Sequence, residues 1–85
     1  MKRDTMIKNL EKKGISVVGY SENFNGMEGG IWIDAETPEN EFYFSYYAES
    51  RGYELGVRTT LIEFLGKRGW FAEWNDPGTI FIWEN

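Results

Sequence analysis

The chain has no cysteine and no histidine among its 85 residues, only two prolines, and no lysine or arginine between positions 15 and 50. Each absence removes a class of answers. Without cysteine there is no disulfide framework and no thiolate metal site, so the usual staples of small secreted domains are missing and the cytosol is the simplest compartment. Without histidine the commonest general base and metal ligand are gone, and with both residues absent every Ser-His, Cys-His and zinc arrangement is excluded. No apolar run approaches the roughly 20 residues of a membrane span, and residues 1–14 form a charged amphipathic segment without the apolar stretch of a signal peptide. These absences point to a non-enzymatic protein that needs no cofactor and no metal and contacts no membrane.

What is present in quantity is aromatic and acidic. Four Trp, five Tyr and six Phe give a small chain enough apolar surface for a core, each ring burying roughly 150–250 Å². The net charge of −5 is unevenly spread. Residues 1–14 are basic, with Lys2, Arg3, Lys8, Lys12 and Lys13 against Asp4 and Glu11, whereas residues 15–50 hold seven acids: Glu22, Glu28, Asp34, Glu36, Glu39, Glu41 and Glu49. A chain that grips nucleic acid directly shows the opposite sign where it meets phosphate. An acidic block instead steers and complements a basic protein surface.

Periodicity and punctuation outline one α+β domain over residues 1–85. Asp4 or Thr5 opens a helix with a stripe of Met6, Ile7 and Leu10 that ends near Gly14. Residues 15–20 read as a β-branched strand, 21–30 as a glycine-containing loop, 31–36 as an alternating strand and 37–40 as a turn. The stretch 41–49, with rings at Phe42, Tyr43, Phe44, Tyr46 and Tyr47, completes an antiparallel meander. A helix over 53–66 follows, with Val57, Leu61, Phe64 and Leu65 on one face. Strands 70–74 and 79–83 then form a terminal hairpin whose Pro77 and Gly78 suit a type II turn. The expected order is α-β-β-β-α-β-β, an antiparallel sheet with helices on one face; whether the hairpin extends or covers the sheet is open at this level.

Strand alternation puts Phe42, Phe44 and Tyr46 in the core beneath the helices, and Tyr43 and Tyr47 on the opposite face with Tyr20, Glu22, Trp32, Asp34, Glu36 and Glu41. That face is acidic and aromatic at once, a combination suited to a partner rich in Arg and Lys. The candidate partner-binding residues are therefore Glu22, Glu28, Trp32, Asp34, Glu36, Glu39, Glu41, Tyr43 and Tyr47. The same rings also fit cross-strand neighbours that stiffen a solvated sheet, or a surface covered by the terminal hairpin. The i, i+2 pairs Asp34/Glu36 and Glu39/Glu41 share a strand face, but a small domain seldom encloses the cleft that carboxylate catalysis needs. The order α-β-β-β-α occurs in double-stranded-RNA-binding domains too, yet the basic cluster those need at the second helix is not matched by the sequence at Glu54-Leu55-Gly56-Val57.

The plan from Ile15 to about Gly69 and the run of acids from Glu22 to Glu49 resemble the small phage-encoded inhibitors of bacterial defence, the anti-CRISPR proteins among them. The resemblance implies a cytoplasmic inhibitor or adaptor in a bacterial host that imitates the charge of DNA and occupies the basic surface of a nucleic-acid-binding nuclease complex. The basic first helix and the modest net charge depart from a pure DNA mimic. Two other readings stand beside it: an immunity protein against a basic toxin, and a module of a phage or bacterium that associates with itself, as a homodimer through exposed rings or through an edge strand bearing Trp83.

Overall fold

The computed structural model describes residues 1–48 and 50–85; Glu49 lies outside the described residues. The first helix, α1 (Arg3–Lys12), buries Met6 and Leu10 completely and ends where Gly14 adopts φ 90°. Neither Asp4 nor Thr5 caps it. The capping position is Lys2, and Asp4 instead accepts a hydrogen bond from the Tyr20 hydroxyl. Ile15 enters the core, but the strand expected over 15–20 is reduced to β1 (Gly19–Tyr20). The reason is local: the Asn40 side chain captures the main-chain N–H (2.8 Å) and C=O (3.0 Å) of Ser16, which a longer ladder would have used.

Within the expected loop 21–30 lies one helical turn, α2 (Glu22–Asn25). Buried Ser21 closes this segment, its Oγ accepting from Gly30 N–H (2.9 Å) and donating to the Met27 carbonyl (2.6 Å). Strand β2 (Ile31–Asp34) is shorter than the alternation suggested, because Asp34 Oδ1 accepts the Glu36 N–H and turns the chain toward a 3-10 turn at Pro38–Asn40.

The largest departure is the stretch 41–49. It is not a strand among its described residues: turns surround a single bridge between Phe44 and Val57. The Asn40 carbonyl accepts from both Tyr43 and Phe44 N–H, and Ser45 N–H donates to the Gly56 carbonyl (2.8 Å). Side chains alternate only on extended backbone, so the inside and outside assignments fail here. Phe44 is buried as expected, whereas Phe42 is 57% exposed and Tyr46 43%. Tyr43 packs against the core instead of facing away from it.

The helix expected over 53–66 begins only at Thr59. Residues 53–58 form a small hairpin of β3 (Tyr53–Glu54) and β4 (Val57–Arg58), and α3 (Thr59–Gly66) follows directly. Its two-residue turn is Leu55 (φ 50°) and Gly56 (φ 77°), the double positive φ of a type I′ hairpin, which no helix accommodates. Leu61 and Leu65 of α3 are buried as the periodicity required.

Strands β5 (Trp70–Asp76) and β6 (Thr79–Glu84) form the terminal hairpin, and it extends the sheet. The order is β1-β2-β6-β5, all antiparallel, so the strand carrying Trp83 is central and β5 is an edge. Gly78 does not take the positive φ that a type II turn demands. A Cβ there would sit 2.6 Å from Glu36 Oε1, the end of an exposed side chain that can move aside. Ile31, Ile33, Ile80, Ile82 and Trp70 meet α1, α3, Phe44 and Val57 in one core. Fully burying each isoleucine is worth about 1.5–3 kcal/mol. The architecture is α+β, with α1 and α3 on one face and α2 on part of the other. Among the described residues no helix is long and apolar enough to cross a membrane.

Candidate functional site

The outer sheet face starts from three residues that point away from the core. Trp32 and Phe81 are register partners, and Trp83 lies two residues beyond Phe81. Phe24 of α2 closes on them edge-to-face, at 5.0 Å from Trp32 and 5.4 Å from Phe81, and Trp83 completes the row at 5.5 Å from Phe81. Gly30 leaves room for this row, since a Cβ would lie 2.6 Å from the Trp83 ring. The Trp83 indole donates to Glu73 Oε1 (3.1 Å). Trp32 is thus part of a ring cluster with its own cover, and stands apart from Tyr43 and Tyr47.

The other expected site residues divide by what they touch. Glu22 pairs with Arg3 (2.7 Å), the one ion pair among the described residues. The Arg3 guanidinium first, and the Glu22 main-chain N–H second, hold its carboxyl well below the usual 4.5, at about 2. Its contribution to stability is full above about pH 4.5 and is lost as the pH falls toward about 2. Unfolding midpoints followed from pH 5 down to pH 2 should therefore fall less steeply in Glu22→Gln than in the wild type; identical slopes would show that the pair contributes nothing. Asp34 is engaged in its own turn. Glu28 and Glu39 are exposed and separate, one in the loop before β2 and one in the 3-10 turn. Tyr43 is half-buried, with Phe42 edge-to-face at 4.9 Å. Arg58 fixes this corner by stacking on Phe42 (3.7 Å) and Tyr53 (4.6 Å).

Three of the expected residues do converge. Glu36, Glu41 and Tyr47 line a recess of about 290 Å³ together with Tyr46, Phe44, Pro77, Ala35 and Ser45. The carboxylates that share the recess are not an i, i+2 pair of a strand face but Glu36 and Glu41, which the turn between them brings to its wall. The recess is built by backbone geometry on both sides. Ala35 N–H donates to the Gly78 carbonyl (3.0 Å), tying the end of β2 to the β5–β6 turn. Ser45 N–H on the Gly56 carbonyl anchors the opposite wall. Tyr46 stands edge-to-face to Tyr47 (5.0 Å) and to Trp74 (5.1 Å), so its ring is propped by β5.

Among the described residues no lysine or arginine lines the recess. Elsewhere several of the chain's cations are occupied by its own rings: Arg3 on Tyr20 (3.7 Å), Lys13 and Arg68 on Phe64 (4.2 and 3.8 Å), and Arg58 on Phe42. Two carboxylates beside two accessible tyrosine rings offer a guanidinium both charge-assisted hydrogen bonds and a ring face. Sequence reasoning missed Tyr46, which strand alternation had placed inside, and Trp74, which supports it. A signal was present in Pro38 and Asn40, whose turn preference weakens an extended reading of the ring-rich stretch after them. Comparison with family models, curated proteins and solved structures finds no match to this chain.

Proposed function

We propose that the chain is a non-enzymatic binding protein, an inhibitor or adaptor, that engages a basic protein surface of the kind that grips nucleic acid, in the manner of the phage-encoded inhibitors it resembles. The observation that supports this reading is the recess in which Glu36 and Glu41 stand beside Tyr46 and Tyr47 without a basic neighbour among the described residues. Its size suits one long side chain, and the bidentate geometry of arginine matches two carboxylates better than lysine does. Glu39, in the 3-10 turn between Glu36 and Glu41, adds attraction over the approach to it and is screened by salt, whereas Glu28 stands at the opposite end of β2.

Wild type and Glu36→Lys/Glu41→Lys protein, immobilised side by side and exposed to bacterial lysate, test the reading. Basic nucleic-acid-binding proteins should be held by the wild type at low salt, released at high salt, and lost from the variant, with an unchanged circular dichroism spectrum. Equal retention by both proteins contradicts the proposal. Recovery of this chain alone would transfer it to self-association.

A further inference from the structure

Leu55 stands out on three counts. It is the one non-glycine residue with positive φ among those described, at 50°; it is 87% exposed; and it sits at a type I′ turn position that asparagine or aspartate fills with less strain. Backbone strain together with an exposed large apolar side chain gives nothing to the fold, since only the Leu55 carbonyl is used, accepting from Trp74 Nε1 (2.7 Å). What Leu55 does is form one rim of an open groove of about 480 Å³, floored by Ile62, Leu65 and Trp70. Trp70 is 2% exposed, and its indole N–H has no partner among the described residues.

The same groove runs along the free edge of the sheet, lined by every residue from Trp70 to Trp74. Asn85 N–H donates to the Gly69 carbonyl (2.8 Å), which fixes the phase of the β5–β6 ladder. Alternation then turns the main-chain N–H and C=O groups of Trp70, Ala72 and Trp74 outward, toward the groove side of the edge. The charged residues along it are Glu54 and Glu73, both acidic.

We infer that this groove receives an extended segment of a partner polypeptide, which adds as a strand to β5, places an apolar side chain against Leu55 and Trp70, and carries basic residues at its flanks. This rests on the reading of the chain as a binder of basic proteins and names how such a partner is held. Main-chain pairing supplies the hydrogen bonds and the groove selects the side chain, the usual division in strand addition. A second copy of this chain fits worse, because pairing β5 with β5 brings Glu54 and Glu73 of two acidic molecules together.

The test uses isotope-labelled protein and three synthetic peptides: KTLTLTK, its acidic counterpart ETLTLTE, and KTSTSTK. The first should slow exchange of the Trp70, Ala72 and Trp74 amides and bind about tenfold or more tightly than either other peptide. Leu55→Asn should raise the thermal midpoint while weakening KTLTLTK about tenfold, a combination that damage to the fold does not produce. Ala72→Pro, which removes an outward N–H and leaves the β6 ladder intact, should abolish protection of the edge. Equal binding of KTSTSTK and KTLTLTK overturns the groove and leaves the acidic recess standing. Equal binding of ETLTLTE overturns the charge preference. Loss of KTLTLTK binding in Glu36→Lys/Glu41→Lys alone, with Leu55→Asn unaffected, places the peptide in the recess and overturns strand addition. Protection of the same amides that rises with protein concentration, without peptide, assigns the edge to a second copy.

Discussion

Asn40→Leu should lower the unfolding free energy by about 3–5 kcal/mol. Asn40 is fully buried and uses its whole side chain: Oδ1 accepts from Ser16 N–H, and Nδ2 donates to the Ser16 and Asp34 carbonyls. These three bonds join the segment before β1 to the end of β2 and the start of the 41–48 turns. Leucine keeps the branched shape but puts two bulkier methyl groups where the amide was, so the site is crowded and up to three main-chain groups lose their partner, each at a cost of about 1–3 kcal/mol. A domain of this size has in all about 4–13 kcal/mol of stability, so the variant should be marginal. Asn40→Asp should also destabilise, because a carboxylate would face two carbonyl oxygens. Urea midpoints at unchanged slope measure the effect, and a loss under about 1 kcal/mol would show that water or rearrangement satisfies the three groups.

Gly56→Ala should cost about 2–4 kcal/mol and should weaken binding at the recess as well. Two penalties combine at this position. The residue holds φ 77°, and a Cβ would meet backbone, not a movable side chain: Ser45 O at 2.8 Å, Tyr46 Cα at 3.0 Å and Tyr46 O at 3.1 Å. Either the β3–β4 turn or the Tyr46 main chain must move, and Tyr46 is a wall of the recess. Gly52→Ala is the control, with φ 96° and, among the described residues, nothing within 4 Å of the added carbon. It should lose only the conformational part, about 1 kcal/mol, and leave the recess unchanged. Equal losses in the two variants would mean that the close approach at Gly56 has no energetic weight.

The parts of this fold that were legible in the sequence are those governed by period and by turn residues acting alone. Met6 and Leu10 in α1, Ile31 and Ile33 in β2, Leu61 and Leu65 in α3, and the terminal hairpin all lie where spacing places them. What escaped depends on side chains that reach across the chain. Nothing local to residues 15–20 announces that Asn40, 24 positions from Ser16, will take the Ser16 backbone and shorten the strand. Nothing in Leu55-Gly56 carries the asparagine that usually marks a type I′ turn, so the apolar spacing ran on into a helix that starts only at Thr59. The ring-rich stretch had strand composition, yet turns at Asn40 and Ser45 break it, and composition cannot order turns. Of the nine expected site residues, Glu36, Glu41 and Tyr47 meet in one recess, whereas Trp32 joins a separate ring cluster and Glu22 is held by Arg3. An acidic and aromatic surface was legible as chemistry; its assembly from a turn, and not from a sheet face, was not.

The measurement closest to the central claim is a titration of isotope-labelled protein with a short arginine peptide, with its citrulline counterpart as the neutral control. The Tyr46 and Tyr47 ring signals and the Glu36 and Glu41 side-chain signals should move with arginine, remain still with citrulline, and lose their response in Glu36→Lys/Glu41→Lys. Movement confined to Trp32, Phe81 and Trp83 on the outer sheet face, or an equal response to citrulline, would contradict the account.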